Sequence, residues 1–182
     1  LKKQYSLLLF LLLLSIMIVG CSSIKVREEE ILDVDTIEKY IKEQKHDQGF
    51  DYLRFVKIEM EESQILFNKT TVEQREDKYL ANIVYRLKIR NITSSNIKIH
   101  YTLYIPKEFA ERFVIGERVF NLFVDGVEIK PNKSLNIGHG TLIRHYKLLS
   151  QEEKEIFNKY KDIVYLVLSI NDKKVYLKVT PD

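Results

Sequence analysis

The sequence predicts a mainly β fold: an antiparallel two-sheet sandwich with one N-terminal helix and one short helix before the last two strands. Tyr79, Ala81, Ile83, Tyr85, Leu87 and Ile89 share one parity while Asn82, Arg86, Lys88 and Arg90 take the other, and apolar and polar residues alternate again through Ile97–Ile105, the period of strands with one face buried. Roughly seven to nine such short segments follow one another with turn residues between them. Strands and helices do not alternate regularly, as a parallel sheet would require.

Taken in order, Ile31, Val34, Ile37, Tyr40 and Ile41 recur at helical spacing, which places a helix over residues 31–48. Asp35 with Glu38 fits a capping pair, and Gly49 is the stop. Val56, Ile58 and Met60 then alternate with Lys57 and Glu59, and Ile65-Leu66-Phe67 is a short apolar run before the polar stretch 68–78. The strands at Tyr79–Arg90 and Ile97–Ile105, joined by the turn cluster Asn91–Asn96, read as two long paired strands. Pro106 ends the second, and Lys107–Val114 forms a helical turn over one end of the sheet.

Val119–Val124 and Val127–Lys130 flank Asp125-Gly126, a dipeptide suited to the positive φ angles of a type I′ hairpin. Pro131–Ser134 is a further turn, Gly138 and Gly140 relax a turn or bulge, and Thr141–Leu149 reads as a strand. Ser150 with Glu153 caps a short helix whose inner face is Ile156, Phe157 and Tyr160. Ile163–Ile170 is nearly continuous apolar sequence rich in branched residues, as in a strand buried on both faces. Asn171-Asp172-Lys173 turns the chain into Val175–Val179.

The N-terminal stretch stands apart. Leu7–Val19 is apolar except for Ser15, follows Lys2 and Lys3, and precedes Gly20-Cys21. The run is shorter than the roughly 20 residues that cross a bilayer and has the profile of a signal peptide. Ile18-Val19-Gly20-Cys21 resembles the lipobox of bacterial lipoproteins, with Ile18 where that family more often has Leu. The resemblance implies that residues 1–20 are a signal peptide cut between Gly20 and Cys21, and that Cys21 carries a diacylglyceryl group. It implies residence at the extracytoplasmic face of the cell membrane. In an envelope with two membranes, Ser22 after the lipidated cysteine is similar to lipoproteins sent to the outer one. Residues 21–30, ending in Glu28-Glu29-Glu30, then read as a solvated tether, and residues 50–182 as the sandwich domain.

Composition narrows the classes further. With 182 residues, 45% apolar and 30% charged, six Gly and a single Cys, the chain is neither low-complexity nor a disulfide scaffold. Loss of Lys2 and Lys3 lowers the formal charge of +3 by two, which leaves no basic signature of a nucleic-acid partner. The strand pattern is similar to the small immunoglobulin-like sandwich domains of Gram-positive surface lipoproteins, although the chain has no Trp and so lacks the Cys-Trp-Cys signature.

No catalytic or cofactor motif is present: there is no Gly-x-Ser-x-Gly, no Gly-rich phosphate loop and no paired-Cys or His-Glu-x-x-His metal motif. His139 and His145, on one strand, would lie about 20 Å apart at 3.3 Å per residue, too far to share a zinc ion. Asp33 and Asp35 read as acidic residues at the positive end of a helix. Tyr104, His100 and His139 are the candidate interaction surface, with Tyr104 taken as exposed on the polar parity of its strand. The expectation is a non-enzymatic, cofactor-free envelope lipoprotein that contacts an envelope protein. The alternative is a small-ligand-binding lipoprotein with a pocket in or beside the sandwich.

Overall fold

The computed structural model describes residues 32–44, 49–67, 80–115, 119–120 and 126–181, all within the unit Leu32–Asp182. The signal peptide, Gly20, Cys21 and the tether 21–30 lie outside the described residues. The fold is mainly β, with two antiparallel sheets and, among the described residues, three α-helices.

Sheet A is built on β3 (Leu80–Asn91), the alternating segment, whose Ala81, Ile83, Tyr85, Leu87 and Ile89 are all buried. β7 (Ser134–Arg144) runs along one edge of β3. β1 (Val56–Met60) and β2 (Gln64–Phe67) share the other. Met60 pairs with Leu87 and Gln64 with Val84, so three residues of the β1–β2 segment face two of β3. That extra residue is a β-bulge, closed by the Glu61 amide donating to the Arg86 carbonyl at 3.0 Å.

Sheet B is built on β4 (Ile97–Tyr104) and β8 (Val164–Ile170), with β9 (Lys173–Val179) on the far edge of β8. β5 (Val119–Phe120) and β6 (Val127–Ile129) succeed one another along the free edge of β4. The inward residues of both sheets form one apolar cluster, an arrangement consistent with a sandwich.

One expectation about pairing is corrected. β3 and β4 are not a pair, because each belongs to a different sheet. The chain crosses between layers at Asn91, which is fully buried and whose side chain bonds the turn that follows. The Asp125-Gly126 hairpin expected between Val119–Val124 and Val127–Lys130 lies largely outside the described residues, since 121–125 are not described; the described β5 and β6 both pair with β4. Positive φ at both central residues, as a type I′ turn requires, is found at Asn171-Asp172, with φ of 49° and 65°, where Ile170 pairs with Lys173.

Gly138 and Gly140 lie within regular β7, opposite Arg86 and Val84, and make neither a turn nor a bulge. The strand therefore begins at Ser134, and residues 146–148 are a 3-10 turn where a strand was expected. The His145 ring accepts the Lys147 amide at 3.1 Å and closes that turn.

Helix α1 (Val34–Lys42) is shorter than 31–48: its cap is Asp33, not Asp35, and it ends before Gln44, which has φ 50°. Residues 45–48 lie outside the described residues. The Asp33 carboxylate accepts the Thr36 amide at 2.9 Å and the Thr36 hydroxyl at 2.6 Å, satisfying a first-turn donor. α1 packs on β8 and β9. Ile37 is fully buried outside the inter-sheet cluster, and Tyr40 meets Tyr176 edge-on at 5.0 Å, so α1 covers the outer face of sheet B.

α2 (Lys107–Phe113) and α3 (Gln151–Tyr160) pack together over one end of the core. Phe109, Phe113 and Phe157 meet at centroid distances of 5.1–5.2 Å, and Tyr146 joins Phe157 at 5.2 Å. α3 has the capping box read from Ser150 and Glu153. Glu153 also accepts from Arg144 at 2.8 Å, fastening α3 to the end of β7.

Candidate functional site

The two outer faces of the sheets differ. α1 lies over the outer face of sheet B, whereas no described helix packs across the outer face of sheet A. Alternation along β1, β3 and β7 puts Lys57, Glu59, Arg86, Lys88, Arg90, Asn136 and Gly138 on the outer face of sheet A, because their strand neighbours point into the core.

Register builds the site from these residues. Glu59, Lys88 and Asn136 form one row across the three strands, and Arg86 and Gly138 form part of the next. Gly138 contributes no side chain, and a Cβ there would meet nothing within 4 Å. The result is a depression of about 660 Å³ between charged ridges, floored by Met60, Leu87 and Ile137. Lys57 lies 2.7 Å and Lys88 3.6 Å from Glu59, while Arg86 lies 3.7 Å from Glu61. The hydrogen bond and charge of Lys57, then the charge of Lys88, hold the Glu59 carboxyl below the usual range. These exposed pairs add little stability but fix the charge pattern. Among these described residues four cations, Lys57, Arg86, Lys88 and Arg90, stand against two anions, Glu59 and Glu61.

A second polar cluster lies where the bulge turns toward sheet B. The Ser63 amide and hydroxyl donate to Asp162 at 2.8 and 2.6 Å, and Lys161 bonds the other carboxylate oxygen. Burial pulls the Asp162 carboxyl upward, but the bonds from Lys161 and Ser63 outweigh it and hold it below its ordinary value. The bulge thus aims Ser63 across the layers and ties β2 to the start of β8.

The three residues read as an interaction surface are not brought together. Tyr104 is only 3% exposed, on the face of sheet B that α1 covers. The parity was read correctly, but the outer face of that sheet is itself buried. His100 is half-buried on the same face and its Nδ1 accepts the Gly126 amide at 3.1 Å. His139 is half-buried on the inward side of sheet A, opposite Tyr85, and burial lowers its pKa. Among the described residues no three His, Cys, Asp or Glu side chains are grouped to hold a metal ion, and no helix is long and apolar enough to cross a membrane.

Sequence reasoning did not single out Glu59, Glu61, Arg86, Lys88 or Gly138. The available signal was the outward alternation of Arg86, Lys88 and Arg90, but only register shows which residues stand beside them.

The described chain is thus a β-rich domain of two antiparallel sheets with one charged, uncovered face. No family model matches the chain, and no curated protein matches it. Among solved structures, a Bordetella pertussis protein assigned as ApaA is similar at 10% identity with a TM-score of 0.33, covering 70% of this chain and 89% of that one. A protein from Archaeoglobus fulgidus is similar at 16% identity with a TM-score of 0.25, covering 68% of this chain and 98% of that one.

Proposed function

We propose that this chain is a membrane-anchored bacterial envelope lipoprotein acting as a non-catalytic interaction module, with the outer face of sheet A as its contact surface. The observation that carries the reading is the contrast between the two sheets: one outer face is covered by α1, the other is charged and concave and lies under no described helix. The excess of Lys and Arg over Glu on that face favours an acidic patch on a partner protein. Anchoring rests on the lipobox-like Ile18-Val19-Gly20-Cys21, since two acyl chains give durable attachment.

We read the sandwich as immunoglobulin-like. The supporting feature is strand order: β1/β2-β3-β7 in one sheet and β5/β6-β4-β8-β9 in the other, an interleaving of the Greek-key kind. A small-ligand-binding lipoprotein is the second reading, favoured by the 660 Å³ depression beside the sandwich, a volume in the range of ligand sites.

The test is crosslinking and co-purification from intact cells with three forms: the native chain, Cys21→Ser, and the double reversal Arg86→Glu with Lys88→Glu. The expected result is one discrete partner with the native chain, lost on charge reversal, and release of Cys21→Ser from the membrane. Retention of Cys21→Ser in the membrane overturns the anchor, and a partner indifferent to the reversal overturns the contact surface.

A further inference from the structure

The outward residues of sheet A are sorted by charge, strand by strand. Along β3 the exposed outer positions Arg86, Lys88 and Arg90 are all cations, and at about 3.4 Å per residue they repeat every ~7 Å along one line. The β1 side of that line carries the anions, with Glu59 opposite Lys88 and Glu61 beside Arg86. The β7 side carries none. There Ser134, Asn136, Gly138 and Gly140 are exposed on the outer face, opposite Arg90, Lys88, Arg86 and Val84.

This asymmetry leaves the face short of anions, and on the β7 side above all. Lys88 is 3.6 Å from Glu59 and Arg86 is 3.7 Å from Glu61, both beyond hydrogen-bond length. Arg90 stands in register between Lys57 and Ser134, and like charges directly opposite one another are unfavourable. Beside the cation line the floor is low, because a Cβ at Gly138 would meet nothing within 4 Å. The Asn136 amide and the Ser134 hydroxyl on the same strand can each donate to a main chain and accept from one.

We propose that the outer face of β7 seats an extended acidic segment of a partner protein, with Asp or Glu at every second position facing Arg86, Lys88 and Arg90. The inference rests on the reading of sheet A as the contact surface and specifies what that surface takes. Alternate side chains of an extended chain point the same way and repeat at ~7 Å, the period of the cation line. Three carboxylates on one side of such a segment meet the three cations in turn, while its main chain lies over Gly138 and Gly140, where no side chain obstructs it. An α-helix, about 10–12 Å across with its side chains, is as wide as the three strands together and would carry its acidic face onto Glu59 and Glu61 as well.

The test uses the full chain carrying Cys21→Ser in mild detergent at low salt, where exposed charges are least screened, with two fluorescent, end-capped heptapeptides of Thr and Glu. One has its three Glu at alternate positions; its isomer has them side by side, so that at most two face one way. The alternating peptide is expected to bind about two- to fivefold more tightly, the worth of one exposed ion pair. Arg86→Gln, Lys88→Gln and Arg90→Gln should each weaken it by a similar factor, and Lys57→Gln should not. Gly138→Val keeps every charge and fills the floor, so it should abolish the preference with unchanged circular dichroism. Equal affinity for the two peptides, or a preference that Gly138→Val leaves intact, would overturn the proposal. A partner lost on Arg86→Glu with Lys88→Glu while the two peptides bind alike would leave the contact surface standing and overturn the extended segment alone.

Discussion

The side-chain amide of Asn91 donates to the main-chain carbonyl of Ile129 at 2.8 Å, joining the last residue of a sheet A strand to the last residue of a sheet B strand. Its second amide hydrogen goes to the Ser95 carbonyl at 2.8 Å, and its oxygen accepts from both the amide and the hydroxyl of Thr93 at 2.8 Å. All four hydrogen-bonding positions of the side chain are filled, which is why a polar group persists at zero exposure on the inward parity of β3. The residue forms the corner at which the chain leaves one layer and enters the other.

Asn91→Ala should therefore cost about 2–4 kcal/mol, since it strips partners from several buried groups at once. Thr93→Val, which removes one hydroxyl at a half-buried site, should cost about 1 kcal/mol or less. Chemical denaturation of both variants checks the contrast, and equal losses would show that Asn91 is not the hub of this corner.

The fastening of α1 can be tested in the same way. Ile37 is fully buried beneath the helix, outside the main core, so Ile37→Ala should destabilise by about 2–5 kcal/mol. Lys107 also reaches α1, with its Nζ 2.7 Å from Asp35, but that pair is exposed and Lys107→Ala should leave stability almost unchanged. Protease cleavage near residue 44 should accelerate in Ile37→Ala alone. An indifferent Ile37→Ala would mean that α1 is not docked on sheet B in solution.

Where a pattern was local, the sequence carried it. The buried positions of β3, the capping box of α3 and the doubly buried β8 follow from alternation, side-chain capping and branched apolar runs. What failed was non-local. The β3–β4 junction has the turn residues of a hairpin, yet the buried bonds of Asn91 carry the chain across layers. The glycines around His139 looked like a break, and only pairing with Arg86 and Val84 keeps them in a strand. Tyr104 sat on the outward parity, but a helix some 60 residues upstream covers that face. The charged depression was hidden for the same reason, since Glu59, Arg86 and Gly138 come from three strands that meet only through register.

Acid should expose the Ser63–Asp162 link. The Asp162 carboxyl titrates below its ordinary value of 3.8 in the folded chain, so the folded form favours the carboxylate. Its contribution is fully present above about pH 4 and disappears as pH falls through the folded value. Asp162→Asn should thus be less stable than the native chain at pH 7, with the gap narrowing below pH 4. Ser63→Ala should shift the onset of the native loss upward in pH by removing a donor to the carboxylate. Denaturation midpoints at pH 7, 4 and 3 decide the matter, and parallel curves for native and Asp162→Asn would sink it.

His139 titrates in a separate window. Burial on the inward side of β7 lowers its pKa from 6.5, because the charged ring loses water it does not recover. Its register partner Tyr85 is likewise held neutral, its phenol pushed up by burial and by the charge of Asp162. A histidine whose folded value lies below its unfolded one supports the fold fully above pH 6.5, and that support is lost as pH falls through the folded value. The native chain should therefore lose stability as pH falls below about 6.5, before Asp162 begins to lose its charge. His139→Gln should flatten that part of the profile and leave the loss below pH 4 in place. A ring titration by NMR gives the direct reading: a His139 midpoint at or above 6.5 would rule out a neutral, inward-facing imidazole.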